Sequence, residues 1–184
     1  MQDLKKIYLE GIAFYFQKKF EKALESFDKI CTIGVNNQFY FYCKARTLMK
    51  LHKFEEALVI LDMSLQNLQN YNTKIVLYIY NDKGVVLVKL KRLDQALECF
   101  NKGIAIEPTC FFFYFNKGNL LYDLQNYTSS IKCFEKCIRL YPLSSKAYYN
   151  EGHLRRQLKI YKKALCCYKK CITQYKKVKF LDKL

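Results

Sequence analysis

The sequence predicts an all-α fold, a solenoid of stacked helix–turn–helix units, and three observations carry that prediction. Small residues recur in a fixed frame: Gly11, Ala45, Gly84, Gly118 and Gly152 are spaced by 34 residues, except for a step from Ala45 to Gly84 that is five longer. Twelve residues after each comes a second small residue (Ala23, Ala57, Ala96, Ser130, Ala164), and four further on a large apolar one (Phe27, Leu61, Phe100, Phe134, Tyr168). The composition agrees, with 51% apolar residues and only two prolines and six glycines in 184 residues, a balance that offsets ordering entropy and leaves helices uninterrupted.

Each frame reads as two amphipathic helices around a polar turn. The turns are QKKFEKA, LHKFEEA, LKRLDQA, LQNYTSS and LKIYKKA, anchored by Phe20, Phe54, Leu93, Tyr127 and Tyr161. A small residue on each of two antiparallel helices lets their axes approach closely, and the large residue beside them fills the remaining groove. Pro108 and Pro142 close the third and fourth units, since proline lacks an N–H and disfavours helical geometry before it. One hairpin cannot bury its own apolar faces, so neighbours must stack. The long step falls on the polar segment from Gln66 to Thr73, expected to be a lengthened turn and a candidate docking loop. Beyond the fifth unit, Lys179 to Leu184 either continue the last helix or leave its end to be covered by something else.

No apolar run approaches the roughly 18 residues of a membrane span, and the first twenty residues are already amphipathic rather than a signal peptide. Nine cysteines without a leader argue against a disulfide framework. Cys99, Cys133 and Cys167 share one slot of the frame and Cys137 and Cys171 another, so they read as small apolar packing residues rather than metal ligands. The expectation is a cytoplasmic, reduced protein with no metal and no cofactor. The formal charge of +16 is concentrated at one end. From Gly152 onward Asp182 is the only acid, set against the basic residues Arg155, Arg156, Lys159, Lys162, Lys163, Lys169, Lys170, Lys176, Lys177, Lys179 and Lys183. Such a field draws acidic partners.

The pattern resembles the tetratricopeptide repeat (TPR), covering about residues 4–37, 38–71, 77–110, 111–144 and 145–178 of a single domain spanning 1–184. The first-helix aromatic is Phe41, Tyr80, Tyr114 and Tyr148 in four units and Ile7 in the first, and units one, two and five lack the closing proline. The resemblance implies a right-handed α-solenoid whose first helices line a concave groove. It assigns to that surface Tyr8, Ile12 and Tyr15, then Phe39, Tyr42, Arg46 and Met49. The third unit adds Tyr78, Asn81, Val85 and Val88, the fourth Phe112, Phe115, Asn119 and Tyr122, and the fifth Lys146, Tyr149, His153 and Arg156. Packing between helices accounts for Tyr80, Tyr114 and Tyr148, whereas Tyr8, Tyr42, Phe115 and Tyr149 share one slot on the open face. A strip of exposed rings marks a partner site.

TPR proteins grip acidic chaperone tails with a Lys–Asn–Asn–Lys–Arg clamp. Asn116 and Lys146 fall on clamp slots, but Asn81, Val85 and Asn150 replace the required Lys, Asn and Arg, so that ligand is disfavoured. Asn116 and Asn150 share a slot like the asparagine ladders that hold an extended peptide. The reading is therefore a non-catalytic interaction module or scaffold subunit that captures a peptide or helix of a protein partner, with the basic end attracting acidic partners. The alternative is a nucleic-acid-binding or acidic-polymer docking protein, for example on the microtubule surface. It is disfavoured because the cations are mostly lysine rather than the forked arginine suited to phosphate. Neither His52 nor His153 stands in a nucleophile–base arrangement, and no phosphate loop is present.

Overall fold

The computed structural model describes residues 2–33, 38–66 and 72–181. These form ten α-helices, with no strand among the described residues, paired as five hairpins. The pairs are α1 (Gln2–Phe16) with α2 (Phe20–Thr32), α3 (Gln38–Lys50) with α4 (Phe54–Leu65), and α5 (Thr73–Lys89) with α6 (Leu93–Ile106). The last two are α7 (Phe111–Asp123) with α8 (Tyr127–Leu140) and α9 (Ser145–Gln157) with α10 (Tyr161–Leu181). The chain divides into two compact units, Met1–Cys99 and Phe100–Leu184, the boundary falling inside α6. Of the polar segment Gln66 to Thr73, residues 67–71 lie outside the described ones, so its docking role is not addressed by the structure. The last helix runs on to Leu181.

In the first unit α1 packs on α2, α2 on α3, α3 on α4 and α4 on α5, with α3 also touching α5. Its core gathers Ala23, Phe27 and Ile30 of α2 beneath Ile7 and Ile12 of α1 and Tyr40 and Cys43 of α3. In the second unit α8 lies between α7 and α9, and α9 packs on α10. There Phe134 and Cys137 of α8 meet Ala147 and Leu154 of α9. Each fully buried ring contributes roughly 2–3 kcal/mol of transfer free energy.

The glycine frame works by contact with the large residue sixteen positions on. A Cβ on Gly11 would stand 2.9 Å from the Phe27 ring, one on Gly118 2.9 Å from Phe134, and one on Gly152 3.0 Å from Tyr168. The second hairpin has the smaller Leu61 at the ring position and accommodates Ala45 in place of glycine, both fully buried. In the fourth, Ser130 takes the second small slot because its hydroxyl donates to the Gly118 carbonyl at 2.7 Å.

All five hairpin turns share one backbone solution. Lys18, His52, Lys91, Gln125 and Lys159, seven residues after each frame residue, adopt φ of 58–62°. The following N–H then reaches back five residues, as in Lys19 N–H to the Phe14 carbonyl (2.9 Å) and Asn126 N–H to the Leu121 carbonyl (2.9 Å). This is the Schellman arrangement that satisfies terminal carbonyls. Glycine usually occupies the left-handed position, and a side chain there costs about 1 kcal/mol.

Adjacent hairpins are registered by charge. The residue seventeen after the frame position faces the residue just before the next frame position. The pairs are Asp28–Lys44 (2.7 Å), Asp62–Lys83 (2.5 Å) and Asn101–Lys117 (2.6 Å). At the last interface the two slots hold Glu135 and Glu151, and Arg155 bridges both at 2.6 Å. The half-exposed pairs are worth about 0.5 kcal/mol each, so they set register more than stability. The nine cysteines are all unpaired, and Cys99, Cys133, Cys137 and Cys167 are buried.

Gly103 lies where the Phe113 ring crosses α6, an ideal Cβ there falling 2.0 Å from the ring Cζ. Helix propensity alone would make Gly103→Ala stabilising by about 1 kcal/mol. The overlap reverses the sign, and a net loss of about 2 kcal/mol is expected in urea unfolding, largely recovered by adding Phe113→Leu.

Candidate functional site

The first helices α1, α3 and α5 present one face of the first unit as an open groove of about 660 Å³. Its walls are Tyr8, Ile12, Tyr15 and Phe16 from α1, Phe39, Tyr42, Cys43 and Arg46 from α3, and Ile75, Tyr78 and Asp82 from α5, with Phe27 at its base. The helical spacing of three and four residues brings these side chains to a common face. The rings are organised against one another: Tyr8 contacts Phe39 and Tyr40 at centroid distances of 5.7 and 5.3 Å, and Tyr42 stacks on Tyr78 at 6.5 Å. Tyr15 Oη is buried without a hydrogen-bond partner among the described residues, a polar group at an otherwise apolar wall.

The groove wall carries a polar cluster around Asp82. Its Oδ2 accepts from the Tyr42 hydroxyl at 3.0 Å and its Oδ1 from the Asn81 amide at 3.0 Å, while Arg46 Nε stands 3.9 Å away. The Arg46 guanidinium lies over the Tyr15 and Tyr42 rings, 5.7 and 5.8 Å from their centroids, with about half of its side chain exposed. Burial raises the Asp82 pKa above the ordinary aspartate value of 3.8, opposed by the hydrogen bonds from Asn81 and Tyr42 and by the charge of Arg46. Burial, then the Asp82 charge, holds the Tyr42 hydroxyl far above the usual phenol range. Burial and the neighbouring Cys43 push Tyr8 up to about 12. The site thus sets one acidic side chain and one guanidinium beside the Tyr8 and Tyr42 hydroxyls, whose ionisation burial disfavours.

The structure distributes the sequence-predicted residues unevenly. Of the four rings at the shared slot, Tyr149 is 54% exposed, Tyr8 and Phe115 are half-buried, and Tyr42 is 8% exposed and tied to Asp82. Tyr42 is therefore part of the wall rather than a free ring. Met49, Val85 and Val88 are half-buried. In the second unit Asn119, Tyr122, Tyr149, Asn150 and His153 line a separate cleft of about 360 Å³. There Asn150 donates to Asn119 at 2.8 Å. Gln157 donates to the Tyr122 hydroxyl (3.2 Å) and His153 packs on its ring. Phe112 and Asn116 are half-buried, while Lys146 and Arg156 are exposed.

The basic end also needs one correction. Arg155 is not an available cation, because Glu135 and the buried Glu151 consume it. Lys159, Lys162, Lys163, Lys169, Lys176 and Lys177 are exposed, and Lys170 is exposed with its ammonium 5.9 Å from the Tyr148 ring centre. Sequence reasoning missed the tie between Asp82 and Tyr42, which stand forty residues apart. Among the described residues, no group of three metal-ligating side chains is brought together, and no helix is long and apolar enough to cross a membrane.

Repeated hairpins with this frame define a helical-repeat protein of the interaction-scaffold class. Tetratricopeptide repeat family models match residues 77–110, 112–142 and 145–177, and the chain belongs to the tetratricopeptide repeat family. Residues 1–64 match the model for anaphase-promoting complex, cyclosome, subunit 3. A curated relative, the Hsp70-Hsp90 organising protein of Plasmodium falciparum, is 28% identical over 98 residues, which is 52% of this chain and only 17% of the relative. Two MamA structures superpose with TM-scores of 0.78 and 0.81, the second from Desulfovibrio magneticus RS-1. At 18% and 19% identity, covering 91% and 96% of this chain and 95% and 97% of theirs, they establish the solenoid fold alone.

Two measurements check the electrostatics described above. A raised folded-state pKa for Asp82 means the native state binds its proton more readily than the unfolded chain, so its contribution is fully present below 3.8 and lost as pH rises through the folded value. The stability of wild type relative to Asp82→Asn should therefore grow as pH falls through that window; a pH-independent difference would refute the burial effect. Arg155→Met should cost about 3 kcal/mol by leaving Glu135 and Glu151 unpaired, whereas Lys169→Ala should stay within about 0.5 kcal/mol. Guanidinium unfolding of the two variants distinguishes a structural arginine from a surface cation.

Proposed function

We propose that this chain is a non-catalytic protein-interaction module that captures one helix or short peptide of a partner in the groove of its first unit. The observation that carries the reading is the open groove of about 660 Å³, walled by Tyr8, Tyr15, Phe16, Phe39, Tyr42 and Tyr78. Rings offer apolar contact area at low entropy cost and are typical binding anchors. Arg46, half-exposed and braced by two rings, adds one cation that selects a carboxylate beside the partner's apolar residues. The ligand is thus an amphipathic segment with apolar side chains facing the rings and an acid one turn away. A chaperone tail is a poor fit despite the relative's name, because Asn81, Val85 and Asn150 do not supply the clamp's charges. In the family such grooves lie on intracellular scaffolds, and a cytoplasmic subunit of a larger complex is the setting we favour.

Selection of helical peptides by display, followed by fluorescence anisotropy, tests this reading. Phe16→Glu and Tyr78→Ala should each weaken the selected peptides at least tenfold while helicity by circular dichroism is unchanged. Peptides that bind both variants as tightly as wild type would place the site elsewhere.

A further inference from the structure

The outer face of α10 repeats the surface on which the chain's own hairpins stack, with its charge reversed. In the interior, the residue thirteen after the frame position faces the next first helix. Leu58 of α4, which packs on α5, is 7% exposed, and Ile131 of α8 joins the core shared with α9. The counterpart on α10, Leu165, is 56% exposed, as is Ile172, the counterpart of the core-packed Ile138. Tyr161 and Tyr175 extend the same stripe and are also exposed. From Tyr161 to Tyr175 the stripe runs about 21 Å at the helical rise, enough for a helix of the length of α3 or α7.

The charge slot identifies what fits. Three interior second helices place Asp28, Asp62 and Glu135 seventeen residues after the frame position, against Lys44, Lys83 and the Arg155 bridge. On α10 that slot is Lys169, and α10 carries seven lysines and no acid between Tyr161 and Leu181. A helix seated here must therefore bring an acid where the interior helices bring lysine. The flanking slots, four before the acid and three after, are Ile79 and Val86 in α5 and Ala147 and Leu154 in α9, all fully buried. We propose that this face docks an amphipathic helix of another protein, with apolar residues at i and i+7 and a carboxylate at i+4, stacked as though it opened a sixth hairpin. A second copy is a poorer occupant. Its α1 offers Glu10 at the acidic slot but Lys6 where an apolar residue is required, and each copy carries +16. The proposal concerns a surface separate from the groove of the first unit and does not depend on it.

The test uses a fluorescent 18-residue synthetic helix with Leu at i and i+7 and Glu at i+4, a twin with Lys at i+4, and a scrambled peptide of the first composition. Anisotropy at 0.15 M salt should show the Glu peptide binding at least tenfold tighter than both others. Ile172→Glu should abolish that binding, and Lys169→Glu should invert the preference toward the Lys peptide. Phe16→Glu, in the groove, should leave it unchanged. Equal binding of the scrambled peptide, or an unchanged preference in Lys169→Glu, would overturn the proposal. So would tight binding of phosphatidylserine vesicles that Ile172→Glu abolishes while the Glu peptide fails, or a Glu10-dependent dimer in sedimentation velocity.

Discussion

The structure depends on how closely two helix backbones approach within a hairpin. At Gly11, Gly118 and Gly152, a ring sixteen residues on presses against the helix backbone. Where it is Ala45, the ring gives way to Leu61. The pair conserves the summed volume, and close-packed interiors respond to single methylenes. Because this distance is fixed, the turn between the helices is fixed as well. The chain adopts the same left-handed residue five times even though lysine, histidine or glutamine must occupy it. The local cost of about 1 kcal/mol at each turn is outweighed by the fully buried apolar side chains that the hairpin geometry brings together.

Stacking of one hairpin on the next imposes a second constraint, which is register. The apolar contacts alone would tolerate a rotation or slide of one helix on another. An acid or amide facing a lysine at a fixed offset from the frame residue penalises the wrong alignment more than it rewards the right one. The last interface departs from this rule, since Glu135 and Glu151 would repel. Arg155 resolves the conflict by pairing with both, and in doing so leaves the pool of surface cations that its sequence neighbours belong to.

Much of the architecture was legible in the sequence because it is written by residue size at fixed intervals. Gly11, Ala23 and Phe27 state their relation without reference to anything distant. The left-handed turn residues were illegible for the opposite reason: neither Lys91 nor Gln125 has an intrinsic preference for that backbone region. The groove was legible only as a face. Helical spacing places Tyr42 and Tyr78 on it, but whether a ring lies open depends on what the next hairpin sets beside it, and Asp82 is forty residues away from the hydroxyl it ties down. The same holds for Asn150, whose amide donates to Asn119, 31 residues away. The alternation of acid and lysine at the stacking slots could have been read, since Asp28, Asp62 and Glu135 occupy one frame position.

The cluster around Asp82 shows how a groove of rings avoids collapsing on itself. An apolar cleft lined by flexible side chains would close by rotating rings into contact, since exposed apolar surface is unfavourable. Tyr42 cannot rotate without breaking its hydrogen bond to a half-buried carboxylate, and Arg46 is held over two ring faces within reach of the same acid. Burying the Asp82 charge is unfavourable in itself, as its raised pKa records. A side chain that costs stability while holding two groove-lining residues, Tyr42 and Arg46, is better explained by the opening it preserves than by the fold. Preorganised rings bind with less loss of rotamer freedom than mobile ones, which is the advantage that the buried carboxylate would lend to the capture proposed above.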